Sequence, residues 1–161
     1  MQSPGPDVTV AAVVERDGQF LCVEERIRHR LVLNQPAGHV EDRETLLAAV
    51  IRETREETAY CFEPRALLGT YLWRDPESEL STLRFAFVGD VTAHDPTQAL
   101  DRGIVRALWM TPRQLQHAAA RLRSPLVMRA VEDYLAGRRQ RLDSVAYLDL
   151  ETVSRIYVLS A

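Results

Sequence analysis

Apolar residues run almost unbroken from Val8 to Val14 and are mostly valine and alanine, the pattern of a strand buried on both faces. Asp17-Gly18 then marks a tight hairpin, with Gln19 to Glu25 as the returning strand. A basic stretch holding Arg26, Arg28, His29 and Arg30 leads to a short strand, Leu31 to Leu33. The following Gln35-Pro36-Ala37-Gly38 demands a turn. From 44 to 58, Leu46, Leu47, Val50, Ile51 and Thr54 recur every three or four residues with charges between them, which predicts an amphipathic helix. Two further strands, Ala66 to Trp73 and Leu83 to Val91, flank the polar segment Asp75–Ser81, and Val105 to Met110 makes one more. Thr111-Pro112 opens a helix with proline at its first position, and a last helix runs from Ser124-Pro125 to near Gly137. Strands on both sides of a central helix predict an α/β sandwich with a mixed sheet rather than a strictly alternating parallel one. The whole, 1–161, reads as a single domain, with 1–6 a loose leader and 138–161 a tail that is either strand or docked coil.

Composition narrows the partners. A hydrophobic content of 46% over 161 residues suffices for one core. The net charge of −3 offers no basic surface for nucleic acid. All 20 basic side chains are arginine, lysine being absent, and the planar guanidinium suits phosphate. Cys22 and Cys61 have neither metal-ligand spacing nor a disulfide framework. The opening Met-Gln-Ser-Pro-Gly-Pro carries no charged or apolar targeting stretch, and no run approaches membrane-spanning length, so a cytoplasmic protein is expected. His39, His94 and His117 show no metal spacing, and Trp109 reads as core.

The chemistry lies in Arg52-Glu53-Thr54-Arg55-Glu56-Glu57. Glu53, Glu56 and Glu57 stand at i, i+3 and i+4, hence within about one turn of each other. At about 5 Å and an effective dielectric near 20, each like-charged pair costs roughly 3 kcal/mol. A divalent cation removes that cost, and magnesium takes hard oxygen ligands of this kind, with manganese a possible substitute. Arg52, four residues before Glu56, is suited to orient a carboxylate. Gly38 leaves room for a bare backbone near the same cations.

Gly38, five residues, Glu44, seven residues, Arg52-Glu53, two residues, Glu56-Glu57 resembles the Nudix box, G-x5-E-x7-R-E-U-x-E-E-x-G-U. Six such positions match by chance roughly once in 10⁷ placements, so the signal is specific. Thr54 replaces an apolar residue and Ala59 the last glycine; the helix is therefore expected to end without the left-handed cap that glycine favours. The segments Val8–Ala11, Asn34–His39, Leu83–Phe85 and Leu122–Val127 resemble the NudJ-type phosphatases, a bacterial branch of that family.

The resemblance implies a Nudix-type α/β/α sandwich and magnesium-dependent release of orthophosphate from nucleoside di- and triphosphates, and from hydroxymethylpyrimidine diphosphate. It makes Glu53, Glu56 and Glu57 metal carboxylates and the Ala37 carbonyl a further ligand. Arg52 and Glu44 become the supporting pair, and Glu53 or Glu56 the base. A later loop acid common in the family falls at Gly103, leaving Asp101 and Asp95 as the adjacent acids. Arg28 and Arg30 before the turn, Asn34 and Gln35 within it, and Trp73 and Arg84 on the middle strands are the substrate-binding candidates. Tyr71 beside Trp73 could stack on a base. The expected partner is a small nucleotide or diphosphate, with no membrane, and the protein a monomer or weak dimer. A nucleotide-sugar hydrolase acting on an ADP-ribose-like compound is the alternative within enzymes; a binding module without turnover is the alternative outside them.

Overall fold

The computed structural model describes residues 5–149. Residues 1–4 of the expected leader and 150–161 of the expected tail lie outside the described residues. Among the described residues eight strands and three α-helices follow in the order β1 (Asp7–Val13), β2 (Glu15–Arg16), β3 (Gln19–Ile27), β4 (Arg30–Asn34), β5 (Ala37–His39), α1 (Leu46–Thr58), β6 (Tyr60–Arg74), β7 (Ser81–His94), β8 (Ile104–Met110), α2 (Pro112–His117) and α3 (Leu126–Leu135). Asp17 and Gly18 both take positive φ, 52° and 76°, as a two-residue hairpin of this handedness requires.

One sheet has the order β5-β1-β7-β6, with β1 and β7 parallel and the other pairs antiparallel. It is therefore mixed, as the sequence predicts. The second sheet places β3 between β4 and β8, with β2 pairing the start of β3. Alternate residues of β1 feed two core layers. Ala11 and Val13 meet Ala86, Val88, Leu115, Val127 and Val131 beneath α2 and α3. Val10, Ala12 and Val14 meet Ala49, Val50, Phe62 and Phe87 on the α1 side. That division makes the α/β/α sandwich.

Three local expectations need correction. The turn after Pro36 immediately becomes a strand, since Ala37 to His39 pair with Ala11 to Thr9. On α1, Ile51 is 40% exposed and Ala49 takes the core position instead. The helix also ends as a glycine-capped helix would. Ala59 is left-handed at φ 58°, ψ 14°, and its N–H donates to the Arg55 carbonyl at 2.8 Å. Thr54, at the box's apolar position, is fully buried and donates its hydroxyl to the Val50 carbonyl at 2.7 Å, so burial leaves no unmet donor there.

Glu24 is buried in the second sheet, 2.9 Å from Arg106 and paired also with Arg121. Burial alone would raise its carboxyl, but the hydrogen bonds from the two arginines hold it below the usual 4.5. A depressed acid contributes stability above its unfolded pKa and loses it as the pH falls. Glu24→Gln should therefore cost about 1–2 kcal/mol at neutral pH, moderated by the exposure of both arginines. In urea titrations the gap from the parent should close as the pH drops below about 4.5. A gap that persists unchanged in strong acid would contradict the assignment. At the helix end, Ala59→Gly relieves about 1–2 kcal/mol of left-handed strain and loses a buried methyl worth about 0.8 kcal/mol. Calorimetry should find the melting temperature unchanged or up to about 4 °C higher; a fall would contradict the strain.

Candidate active site

Helix α1 lies against β1, β5, β6 and β8. Thr45 caps it, its hydroxyl accepting the Ala48 N–H at 3.1 Å. Val50, Thr54 and Glu57 are spaced by four and three residues on the stripe facing the core, and all are buried. The helix period thus carries one acid of the box inward while leaving Glu56 at the surface.

Arg52 organises the others. Its Nε and Nη2 donate to the two oxygens of Glu44 at 2.8 and 2.9 Å, a bidentate fork. Its Nη1 donates to Glu53 at 2.8 Å and to Glu56 at 3.0 Å, and Nη2 also reaches the His39 carbonyl at 3.0 Å. The hydrogen bonds from Arg52 hold Glu44 below the usual carboxylate range, while Arg52 itself is raised. Glu53 stacks directly against Gly38, where any Cβ would overlap its carboxylate. The glycine of the motif is needed for close approach by that acid.

Glu57 is 8% exposed, and one oxygen accepts the Ala37 N–H at 2.9 Å. Burial raises its carboxyl to about 8, the Ala37 N–H pulling the other way and Glu25, Glu53 and Asp101 adding like charge. Burial raises Glu53 as well, against the pull of Arg52. At Ala37 the contact seen is through the N–H rather than the carbonyl. Asp101 belongs to this acidic region: its N–H donates to the Glu56 carbonyl at 2.9 Å. Asp95 lies at the far end of α1, tied to Thr97 and to the Ala59 carbonyl. Among the described residues no group of three or more metal-ligating side chains converges as formed. The donor chemistry nevertheless fits a hard divalent cation, because Glu53 and Glu57 lie within each other's fields and burial raises both.

The remaining candidates divide. Arg84 and Asn34 are buried and joined, Arg84 Nη1 donating to Asn34 Oδ1 at 3.4 Å; Asn34 also donates to Glu25 at 3.5 Å. Gln35 is buried and donates to the Val127 carbonyl at 2.8 Å. Arg28 and Arg30 sit exposed at the β3–β4 hairpin, Arg28 at φ 55°, with no ion pair among the described residues. Trp73 lies near the end of β6, opposite Thr82. Tyr71 is committed elsewhere: its hydroxyl donates to the buried Asp133 at 2.9 Å and its ring joins the α3-side core. Arg123, which the sequence reading does not single out, comes within 3.9 Å of Glu25. Its only sequence signal is its place in the segment Leu122–Val127.

The NUDIX domain model matches residues 4–131. Over 140 residues the chain is 39% identical to phosphatase NudJ of Escherichia coli K12, covering 87% of this chain and 90% of that one. A NUDIX hydrolase from Nitrosomonas europaea superposes with a TM-score of 0.88 at 46% identity, covering 91% of this chain and 99% of the other. The Nudix domain of Shewanella oneidensis NrtR, solved with ADP ribose, has a TM-score of 0.65 at 15% identity and shares the fold. The chain belongs to the Nudix family. It is a hydrolase of acid anhydrides in phosphorus-containing compounds, similar to the phosphatase NudJ proteins.

The burial of Glu57 generates a stability prediction. Glu57→Gln keeps the size of the side chain and an oxygen for the Ala37 N–H while removing a carboxyl that burial keeps from ionising at neutral pH, a cost to the fold because the unfolded chain ionises freely there. In chelator at neutral pH the variant should melt at the parent's temperature or above it. A clear fall would mean that the carboxyl of Glu57 stabilises the metal-free fold.

Proposed function

We propose that this protein is a magnesium-dependent phosphatase of nucleoside di- and triphosphates, releasing orthophosphate, with hydroxymethylpyrimidine diphosphate a further substrate. The observation that carries the reading is the acid array of α1: Glu57 buried, Glu53 pressed on Gly38, and both Glu53 and Glu56 held by one guanidinium. Similarity to phosphatase NudJ supports the release of orthophosphate. The metal would be held by Glu53, Glu56 and Glu57, with the Ala37 carbonyl a further ligand; manganese could replace magnesium. When bound, such an ion polarises a phosphoryl oxygen and acidifies water.

The chain's own groups do the rest. Arg52 and Glu44 keep the acids in register, so that little reorganisation is needed on binding. Glu53 or Glu56 takes the proton of the attacking water. Arg84, Asn34 and Gln35 line the substrate side, Trp73 stacks on the base, and Arg28 and Arg30 face the approaching phosphates. The reading takes 1–161 as one domain acting in the cytoplasm as a monomer or weak dimer on a small molecule. The net charge of −3 agrees with a substrate other than nucleic acid.

A base held by stacking is read loosely. With magnesium, GTP, GDP and CTP should each yield orthophosphate, at rates within about tenfold of one another, a spread of about 1.4 kcal/mol. Glu56→Gln should lower turnover by about two orders of magnitude or more, with its circular dichroism spectrum unchanged. Pyrophosphate as the main product from GTP, preference for ADP-ribose, or undiminished activity in excess chelator would each contradict the proposal.

A further inference from the structure

Three buried side-chain polar atoms among the described residues have no hydrogen-bond partner: Thr9 Oγ1, Gln35 Oε1 and Arg84 Nε. Thr9 and Arg84 are register partners across the parallel β1–β7 pair, so their side chains leave the same face of the sheet. It is the α3-side face, because Ala11 and Ala86, two residues further along each strand, lie in that core layer. A buried cation is ordinarily matched by a hydrogen-bonded acid. Arg84 is 7% exposed, and the one hydrogen bond of its side chain among the described residues goes to the neutral amide of Asn34.

The charges around Arg84 include another guanidinium. Arg123 is placed there by its backbone: its N–H donates to the Leu33 carbonyl at 2.8 Å, one residue before Asn34. Burial, and then the charge of Arg123, lower Arg84 to about 10, while Glu25 and Glu57 act in the other direction. Two guanidiniums within each other's field, one stripped of water, add nothing to the stability of the fold. The arrangement mirrors the acids of α1: each is a cluster of like charge that a ligand of opposite charge would relieve.

We infer that Thr9, Arg84 and Arg123 form a receptor for the terminal phosphoryl group of the substrate, and that it selects compounds ending in a phosphate monoester. The inference rests on the phosphatase reading above and deepens it. A fully ionised phosphoryl oxygen is acceptor-only, so it satisfies both the Arg84 Nε–H and the Thr9 hydroxyl, and its charge offsets both arginines. Arg84 lies within the field of Glu57, so a group bound at this receptor stays close to the acid array. Nucleotide sugars and dinucleotides end in no phosphoryl group and would leave Thr9 and Arg84 unmatched.

Calorimetric titration with inorganic phosphate, in magnesium, tests the receptor without turnover. The parent should bind phosphate, and Arg84→Gln and Arg123→Gln should each bind it at least tenfold more weakly. Thr9→Val, which keeps the side-chain shape and safeguards against misfolding of the Arg84 variant, should weaken binding severalfold. Manganese binding without phosphate, read by electron paramagnetic resonance, should be no weaker in the variants than in the parent, since each arginine removed takes positive charge away from the acids. A parent that binds no phosphate, or folded variants that bind it as tightly as the parent, would overturn the receptor. The phosphatase reading is separable: ADP-ribose hydrolysed faster than GDP by the parent would overturn that reading, while the phosphate titrations still decide the receptor.

Discussion

The arginine at position 52 reaches three carboxylates and a carbonyl at once, and the order of the site depends on that reach. The guanidinium of Arg52 spends its fork on Glu44 and its remaining donors on Glu53, Glu56 and the His39 backbone. Glu44 precedes the helix, His39 ends β5, and the other two acids lie on the helix face. A single side chain therefore joins strand, loop and helix into one unit. Lysine, with three donors on a rotatable point charge, could not replace that planar geometry.

The packing imposes a second constraint. Because α1 buries the stripe that contains Val50, Thr54 and Glu57, an acid is carried under the helix against β5, where the Ala37 N–H meets it. The fold tolerates a carboxyl raised to about 8 at this point, a cost that a site can carry when function requires it. Gly38 serves the same end from the strand side by leaving space for Glu53. Arg84, within the field of Glu57 and of Arg123, supplies the opposite sign. Acid helix and guanidinium pair give the site two poles, and a phosphate chain with its cations is the ligand class that such poles match.

Much of this was legible in the residues. The three- and four-residue rhythm from Leu46 to Thr54 marked the helix, and the spacing from Gly38 to Glu57 marked the acids. The unbroken apolar run from Val8 marked the central strand, whose alternate side chains feed both core layers. The misses share physical causes. A three-residue strand at Ala37 shows no alternation, and its Pro-Ala-Gly context reads as a turn. The early start of β6 at Tyr60 was hidden by Pro64 and by register shifts at three places along its pairing with β7. Ala59 adopts the left-handed cap against its own preference because the chain must turn into β6 there. Arg123 carries no local signal; only the tertiary bond from its backbone to Leu33 brings it to Glu25 and Arg84.

Manganese affinity of Arg52→Lys, measured by electron paramagnetic resonance beside the parent, tests most directly the claim that Arg52 orders the acid array. Lysine keeps the positive charge but loses the fork to Glu44 and the simultaneous hold on Glu53 and Glu56. The account predicts manganese binding at least about tenfold weaker, about 1.4 kcal/mol, in a folded variant. Parent-like affinity in that variant would show that the carboxylates are ordered without Arg52, and would contradict the account.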